Sequence, residues 1–167
     1  MSQPESTERA TLQRSLDNQR EHVLGILDGL SDEALRRPVL PSGWTCLGLV
    51  QHLTYDVEQF WFRKVLAGDP IDPAQAAPEG DAWQVGPDVP ARQVLDAYRR
   101  EIARANEVIA ATALDSEPAW WPDFFPRFLD DRRAIIMHVI TETACHAGHL
   151  DAARELIDGR TWLVLTG

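Results

Sequence analysis

Four side chains able to hold a proton or a metal ion recur along one segment near the C-terminal end of the chain. His138, Glu142, His146 and His149 follow one another at steps of four, four and three in MHVITETACHAGHLDAARELIDG. On an α-helix those steps share one face. The same face carries Ile135, Ala153 and Leu156, which read as core, so the polar groups are expected on or beside a buried stripe. Burying an ionised glutamate unpaired, or an unbonded imidazole, is costly. A metal ion gives those lone pairs a partner, and Glu142 and His146, one helical turn apart, can ligate the same ion. Helical bundles build metal sites from side chains on facing helices. The facing ligand is expected in His52, a mid-helix histidine in the apolar setting Leu47-Gly-Leu-Val-Gln-His-Leu. Asp56, one turn further on, is placed to accept an imidazole N–H. His22 lies among charges in Asn18-Gln-Arg-Glu-His and is set aside.

The remaining stripe members have other expected roles. His138 is about two turns from His146, too far to share an ion easily. His149 is one turn beyond His146 and is expected to line the pocket. Cys145 would complete a four-ligand structural site, but its side chain points about 100° around the helix from His146. Two imidazoles and one carboxylate leave room for water or substrate, as in catalytic zinc sites and non-haem iron sites.

Four long amphipathic segments are expected to position these groups. The first runs from Ser6 to Leu30 and is followed by a short turn over Ser31–Arg36, with Ser31 as N-cap. The second runs from Thr45, an N-cap candidate, to Ala67, before the stop signal Gly68-Asp69-Pro70. The third covers Ala91–Leu114, with an apolar stripe of Val94, Leu95, Tyr98, Ile102, Ala105, Val108 and Ile109. The fourth covers Asp131–Asp158 and ends at Gly159. The Pro-rich stretch from Gly68 to Pro90 is longer than a minimal connector and is expected to cover a site. Trp120, Trp121, Phe124, Phe125 and Phe128 crowd the segment from Asp115 to Leu129, as a pocket wall or as a plug at one end of the helices. These elements predict an all-α fold, a single-domain four-helix bundle spanning residues 1–167. The apolar tail with Trp162, Leu163, Val164 and Leu165 is expected to dock on the bundle or to form a homodimer contact.

Composition narrows the function classes. The chain of 167 residues carries 16 basic and 26 acidic residues, a net charge of −10. An acidic surface repels phosphate backbones and anionic membranes, so nucleic acid and membrane are not expected partners. Two cysteines, Cys46 and Cys145, make no disulfide framework and suit a reducing, cytoplasmic setting. No apolar h-region opens the chain, and no run of 18 apolar residues crosses it. No Ser-His-Asp or Cys-His arrangement stands out, which argues against a covalent side-chain nucleophile.

Three segments carry a family resemblance: Pro41-Ser-Gly-Trp-Thr-Cys-Leu-Gly-Leu-Val-Gln-His-Leu, Val57-Glu-Gln-Phe-Trp-Phe and His138-Val-Ile-Thr-Glu-Thr-Ala-Cys-His-Ala-Gly-His-Leu-Asp. They resemble the DinB-like superfamily, in the branch of actinobacterial proteins related to mycothiol-dependent maleylpyruvate isomerase and to thiol S-transferases. The resemblance implies one divalent metal ion held by His52, Glu142 and His146, zinc first, with nickel or iron as alternatives. Many DinB-like proteins have His at the middle position, where Glu142 stands here, as in the isomerase. The isomerase carries a further C-terminal domain, absent from this sequence, which favours the one-domain transferases. The implied activity is transfer of a low-molecular-weight thiol, mycothiol or bacillithiol, onto an electrophilic small molecule. His149 and Asp56 are the implied catalytic residues, and Trp44, Trp120 and Trp121, with Trp83, the implied walls of the cofactor and acceptor pocket. The alternatives are a metal-dependent hydrolase or isomerase at the same site, or a metal- or small-molecule-binding protein without catalysis.

Overall fold

A computed structural model describes residues 3–71, 76 and 81–162, with the side chains of residues 3–6 left out. Helix α1 spans Gln3–Leu27, α2 Asp32–Arg36, α3 Cys46–His52, α4 Ala91–Ala111 and α5 Arg132–Asp158. Between α3 and α4 the rod continues without a break as a π-helical run, Leu53–Leu66. Among the described residues there is no strand. No helix among the described residues is long and apolar enough to cross a membrane.

The boundaries follow local chemistry. Thr45 caps α3 by accepting the Gly48 N–H at 3.0 Å, and Asp131 caps α5 by accepting the Ala134 N–H at 2.7 Å. Gly159 ends α5 with φ at 80°, a left-handed conformation that glycine adopts without a Cβ penalty, and donates its N–H to the Glu155 carbonyl at 2.9 Å.

The second long segment departs from its expected form. Only its first turns are α-helical; beyond His52 the bonding shifts to carbonyls five residues back, as in Ala67 N–H to Phe62 C=O at 3.1 Å. Its buried side chains run in steps of four: Leu53, Val57, Trp61 and Val65 form one row, and Thr54, Glu58, Phe62 and Leu66 a second. A step of four lies between the α and π repeats, so the sequence pattern alone does not choose between them.

Packing closes a core. Helix α1 lies on α5 and touches α4; the π run lies on α4 and α5; α3 touches α2, α4 and α5. Leu16, Val23, Ile26, Leu49, Phe62, Ile109, Ile135 and Ala147 are buried at the centre. Leu156, expected on the core stripe, is 57% exposed because it faces away from α1 on the last turns of α5.

A buried charge pair joins α1 to the π run. Arg20 and Glu58 form a bidentate pair, 2.7 Å for both Nε–Oε1 and Nη2–Oε2, with side chains 2% and 1% exposed. Arg20 also donates to Asp17 and Asn106. The Tyr98 hydroxyl, buried nearby on α4, has no hydrogen-bond partner among the described residues. Burial, and then the Glu58 charge, push its pKa well above the usual phenol value. Arg154 and Arg9 close helix ends: Arg154 donates to the Ile26 and Asp28 carbonyls at the end of α1, and Arg9 to the Ile109 and Thr112 carbonyls at the end of α4.

Of the apolar tail, Trp162 is described. Its indole sits against Gly25 of α1 and stacks on His22, with ring centroids 5.0 Å apart. His22 in turn bonds Asp151 at 2.7 Å, which ties α1 to α5. Leu163, Val164 and Leu165 lie outside the described residues.

Candidate functional site

The C-terminal end of α3 meets the middle of α5, and two imidazoles face each other there. The rings of His52 and His146 lie edge to face with centroids 5.0 Å apart. Asp56 accepts from His52 Nδ1 at 2.9 Å. That contact orients the His52 ring through Nδ1. His146 is almost enclosed, its side chain 12% exposed. Burial, reinforced by His52, pushes its pKa down to about 4, against the smaller opposing effect of Glu142. At neutral pH its ring is uncharged and has a free lone pair.

Glu142 approaches His146 Nε2 at 3.7 Å, longer than a hydrogen bond. Its side chain is 41% exposed, so it sits at the rim of the site and not within the buried stripe expected for it. His149, also exposed, brings Nδ1 to 3.5 Å from Nδ1 of His146. Among the described residues, no three His, Cys, Asp or Glu side chains converge on one point in ligating geometry as their rotamers stand. The donor set nonetheless suits a divalent ion: two facing imidazoles, one oriented by a carboxylate, and a second carboxylate 3.7 Å from His146.

Trp83 covers this pair. Its indole stacks on His52 at 4.3 Å and 18°, and meets His146 at 5.7 Å. The loop that carries it is tightly held. Buried Gln51 donates its side-chain amide to the carbonyls of Ala82 and Gln84, at 2.8 and 3.1 Å. Asp81 accepts the Trp83 N–H at 2.9 Å in an Asx turn. Gly48 lets the loop approach: a methyl at that position would collide with the Trp83 carbonyl oxygen. Among the described residues of the long connector, Trp83 lies against both imidazoles. Gln51 and Gly48 escape sequence reasoning because their partners lie about thirty residues away in an irregular loop.

The other tryptophans divide between two places. Trp44 tilts against His149 with centroids 6.2 Å apart, on the side of the imidazole cluster. Trp120 and Trp121 lie at the other end of the stripe, against Phe60, Trp61, Phe125 and Phe128. That aromatic group packs around His138, which meets Trp61 at 4.7 Å and Phe128 at 5.6 Å. Burial there lowers the His138 pKa, while Glu142 opposes the shift. Cys46 is buried, and desolvation raises its thiol to about 11, which makes it inert as a nucleophile. Cys145 is exposed.

The family model described as Mycothiol-S-transferase matches residues 11–159 of this chain, from α1 through the end of α5. The chain belongs to the mycothiol S-transferase family. Neither the comparison with curated proteins nor that with solved structures gives a match. Membership in the mycothiol S-transferases names mycothiol as the thiol cosubstrate of the family, and the match spans every residue of the site just described.

Proposed function

We propose that this protein is a metal-dependent thiol S-transferase that joins mycothiol to an electrophilic small molecule. The observation that carries the reading is the pairing of His52 and His146 beneath Trp83, in a chain of the mycothiol S-transferase family. The architecture is read as a four-helix bundle of α1, the rod of α3 and its π extension, α4 and α5, with the site between the rod and α5.

His52, His146 and Glu142 would hold the ion. Bound there, a divalent ion lowers the pKa of a thiol, so that a thiolate is available near neutral pH. The remaining work falls to the chain. Asp56 fixes the His52 ring orientation through Nδ1. Trp83 shields one face of His52 from water, which strengthens electrostatic interactions on that side. Exposed His149, beside His146, accepts the thiol proton at a ring nitrogen and passes it to solvent. The cosubstrate sulfur then attacks the electrophilic carbon. A C–S bond forms, the bond from that carbon to its leaving group breaks, and the leaving group departs with the bond's electron pair. The thiol proton balances the released anion. Cys46, with its raised pKa, takes no part.

The test is turnover of a chloro-dinitrobenzene electrophile by the zinc-loaded protein, with and without mycothiol. Product formation is expected only with both thiol and metal, and it should disappear in His52→Ala and His146→Ala. Ester or amide cleavage without thiol would replace this reading with a hydrolase.

A further inference from the structure

A cleft of about 320 Å³ opens between α4 and the rod, where α3 passes into the π run. Its polar walls are Gln51 and Tyr55 on the rod and Arg100, Glu101 and Arg104 on α4, with Val89 and Val94 as an apolar side. Gln51 directly precedes His52, but the two side chains leave the rod about 100° apart. His52 meets His146 on α5, whereas Gln51 lines this cleft beside α4. Nothing in the thiol-transfer reading uses it.

Charge in the cleft is unbalanced. Glu101, 5% exposed, accepts from Arg104 at 2.6 Å and from Arg63 at 3.5 Å, so its carboxylate is satisfied. Arg100 stands one turn before Arg104 and makes no ion pair among the described residues. A guanidinium without a counter-ion thus lines a cavity in a chain whose net charge is −10. Its planar fork matches a carboxylate, and one free cation suits one negative charge. Tyr55 adds a hydroxyl. Burial, and then Glu101, raise its pKa while Arg100 opposes them, so at neutral pH it is a proton donor.

The cleft also holds an unused acceptor. The buried Gln51 gives its amide hydrogens to the Ala82 and Gln84 carbonyls, and its Oε1 has no partner among the described residues. Leaving a buried acceptor empty is costly, and a hydroxyl or N–H of a ligand would satisfy it. A bond accepted at Oε1 polarises the amide and strengthens its two donations. Those donations hold the loop that lays Trp83 on His52. The volume stands at the small end of ligand sites, roughly 300–1,000 Å³, which leaves room for a short apolar body against Val89 and Val94.

We propose that this cleft is a second ligand site, for a small monocarboxylate bearing a hydroxyl or N–H donor, and that Gln51 passes its occupation to Trp83 above the imidazole pair.

The probe is mandelate, which combines a carboxylate, a hydroxyl and an apolar ring. It is titrated into the full-length protein, with calorimetry for binding and tryptophan fluorescence for the response. Saturation is expected in about the millimolar range. Mandelamide, which lacks the charge, should bind about tenfold more weakly, and phenylacetate, which lacks the hydroxyl, about threefold. Arg100→Gln should weaken mandelate about tenfold. Arg100 is exposed and unpaired, so this variant keeps the fold, as circular dichroism checks. In Trp83→Phe the heat of binding should persist and the fluorescence response disappear. No saturation of the wild type, equal affinity for mandelamide, or unchanged affinity in Arg100→Gln overturns the site. Equal affinity for phenylacetate, no fluorescence response, or a response that survives in Trp83→Phe overturns the link through Gln51. No thiol enters the titration, so its outcome is independent of thiol transfer.

Discussion

The indole of Trp83 lies nearly parallel to the imidazole of His52, with centroids 4.3 Å apart and 18° between the planes. The pair joins an irregular loop to the end of α3, and its geometry is set from beneath by Gln51, one residue before His52. Replacing Gln51 by Leu leaves the Ala82 and Gln84 carbonyls without their donor. A cost of about 1–3 kcal/mol is expected. Gly48→Ala should push the same loop outward, because its new methyl meets the Trp83 carbonyl. Both variants should remain helical by circular dichroism, lose the environment of one tryptophan in near-ultraviolet spectra, and lose at least tenfold in thiol turnover. Unchanged turnover in both would show that Trp83 is not a wall of the site.

Metal content should sort the stripe residues by role. His52→Ala and His146→Ala are expected to purify with little bound metal, and Glu142→Gln with weakened affinity. His149→Ala should keep its metal and lose turnover, because its exposed ring serves proton transfer beside His146. Elemental analysis after dialysis against a weak chelator measures this directly. Equal metal loss in the His149 and Glu142 variants would make His149 a ligand.

Much of the architecture was legible in the chain, because helix ends and faces are local. Thr45 and Ser31 cap where their residue types predicted, and Gly159 closes α5. What was not legible depends on distant partners or on the solvent boundary. The four-step rows of Leu53–Leu66 fit either helical winding. Glu142 shares a face with buried residues, yet its side chain is 41% exposed, and helical spacing alone does not mark where that face meets solvent. Trp44 and Trp83 flank the imidazoles, whereas Trp120 and Trp121 stand with His138 at the other end of the stripe; one indole looks like another until the loops are placed.

The buried Arg20–Glu58 pair makes a stability prediction independent of catalysis. Its charges are almost fully removed from water and satisfy each other through two hydrogen bonds. Removing one partner strands the other, so Glu58→Ala is expected to cost about 3–5 kcal/mol. Replacing both by apolar residues of similar volume should cost far less. Tyr98→Phe, which deletes a buried hydroxyl without a partner, should be neutral or stabilising. Urea denaturation of the four proteins decides; a single-partner variant as stable as the wild type would mean that water reaches the pair.

The last prediction concerns pH and His138. Burial between Trp61 and Phe128 lowers its pKa below the ordinary histidine value, with only partial opposition from Glu142. The unfolded chain takes up that proton near pH 6.5. Just below that pH the unfolded state therefore binds more protons than the folded one, and stability rises with pH across the window. The contribution is fully present above about pH 6.5 and is lost as pH falls toward the lowered folded value; beneath that value both states are protonated and the slope vanishes. His138→Phe removes this group while keeping an aromatic ring against Trp61. Metal-free wild type should lose more stability than the variant between pH 7.5 and 5.5. Denaturation midpoints at both pH values measure the difference. Parallel losses in the two proteins would place the titrating group elsewhere.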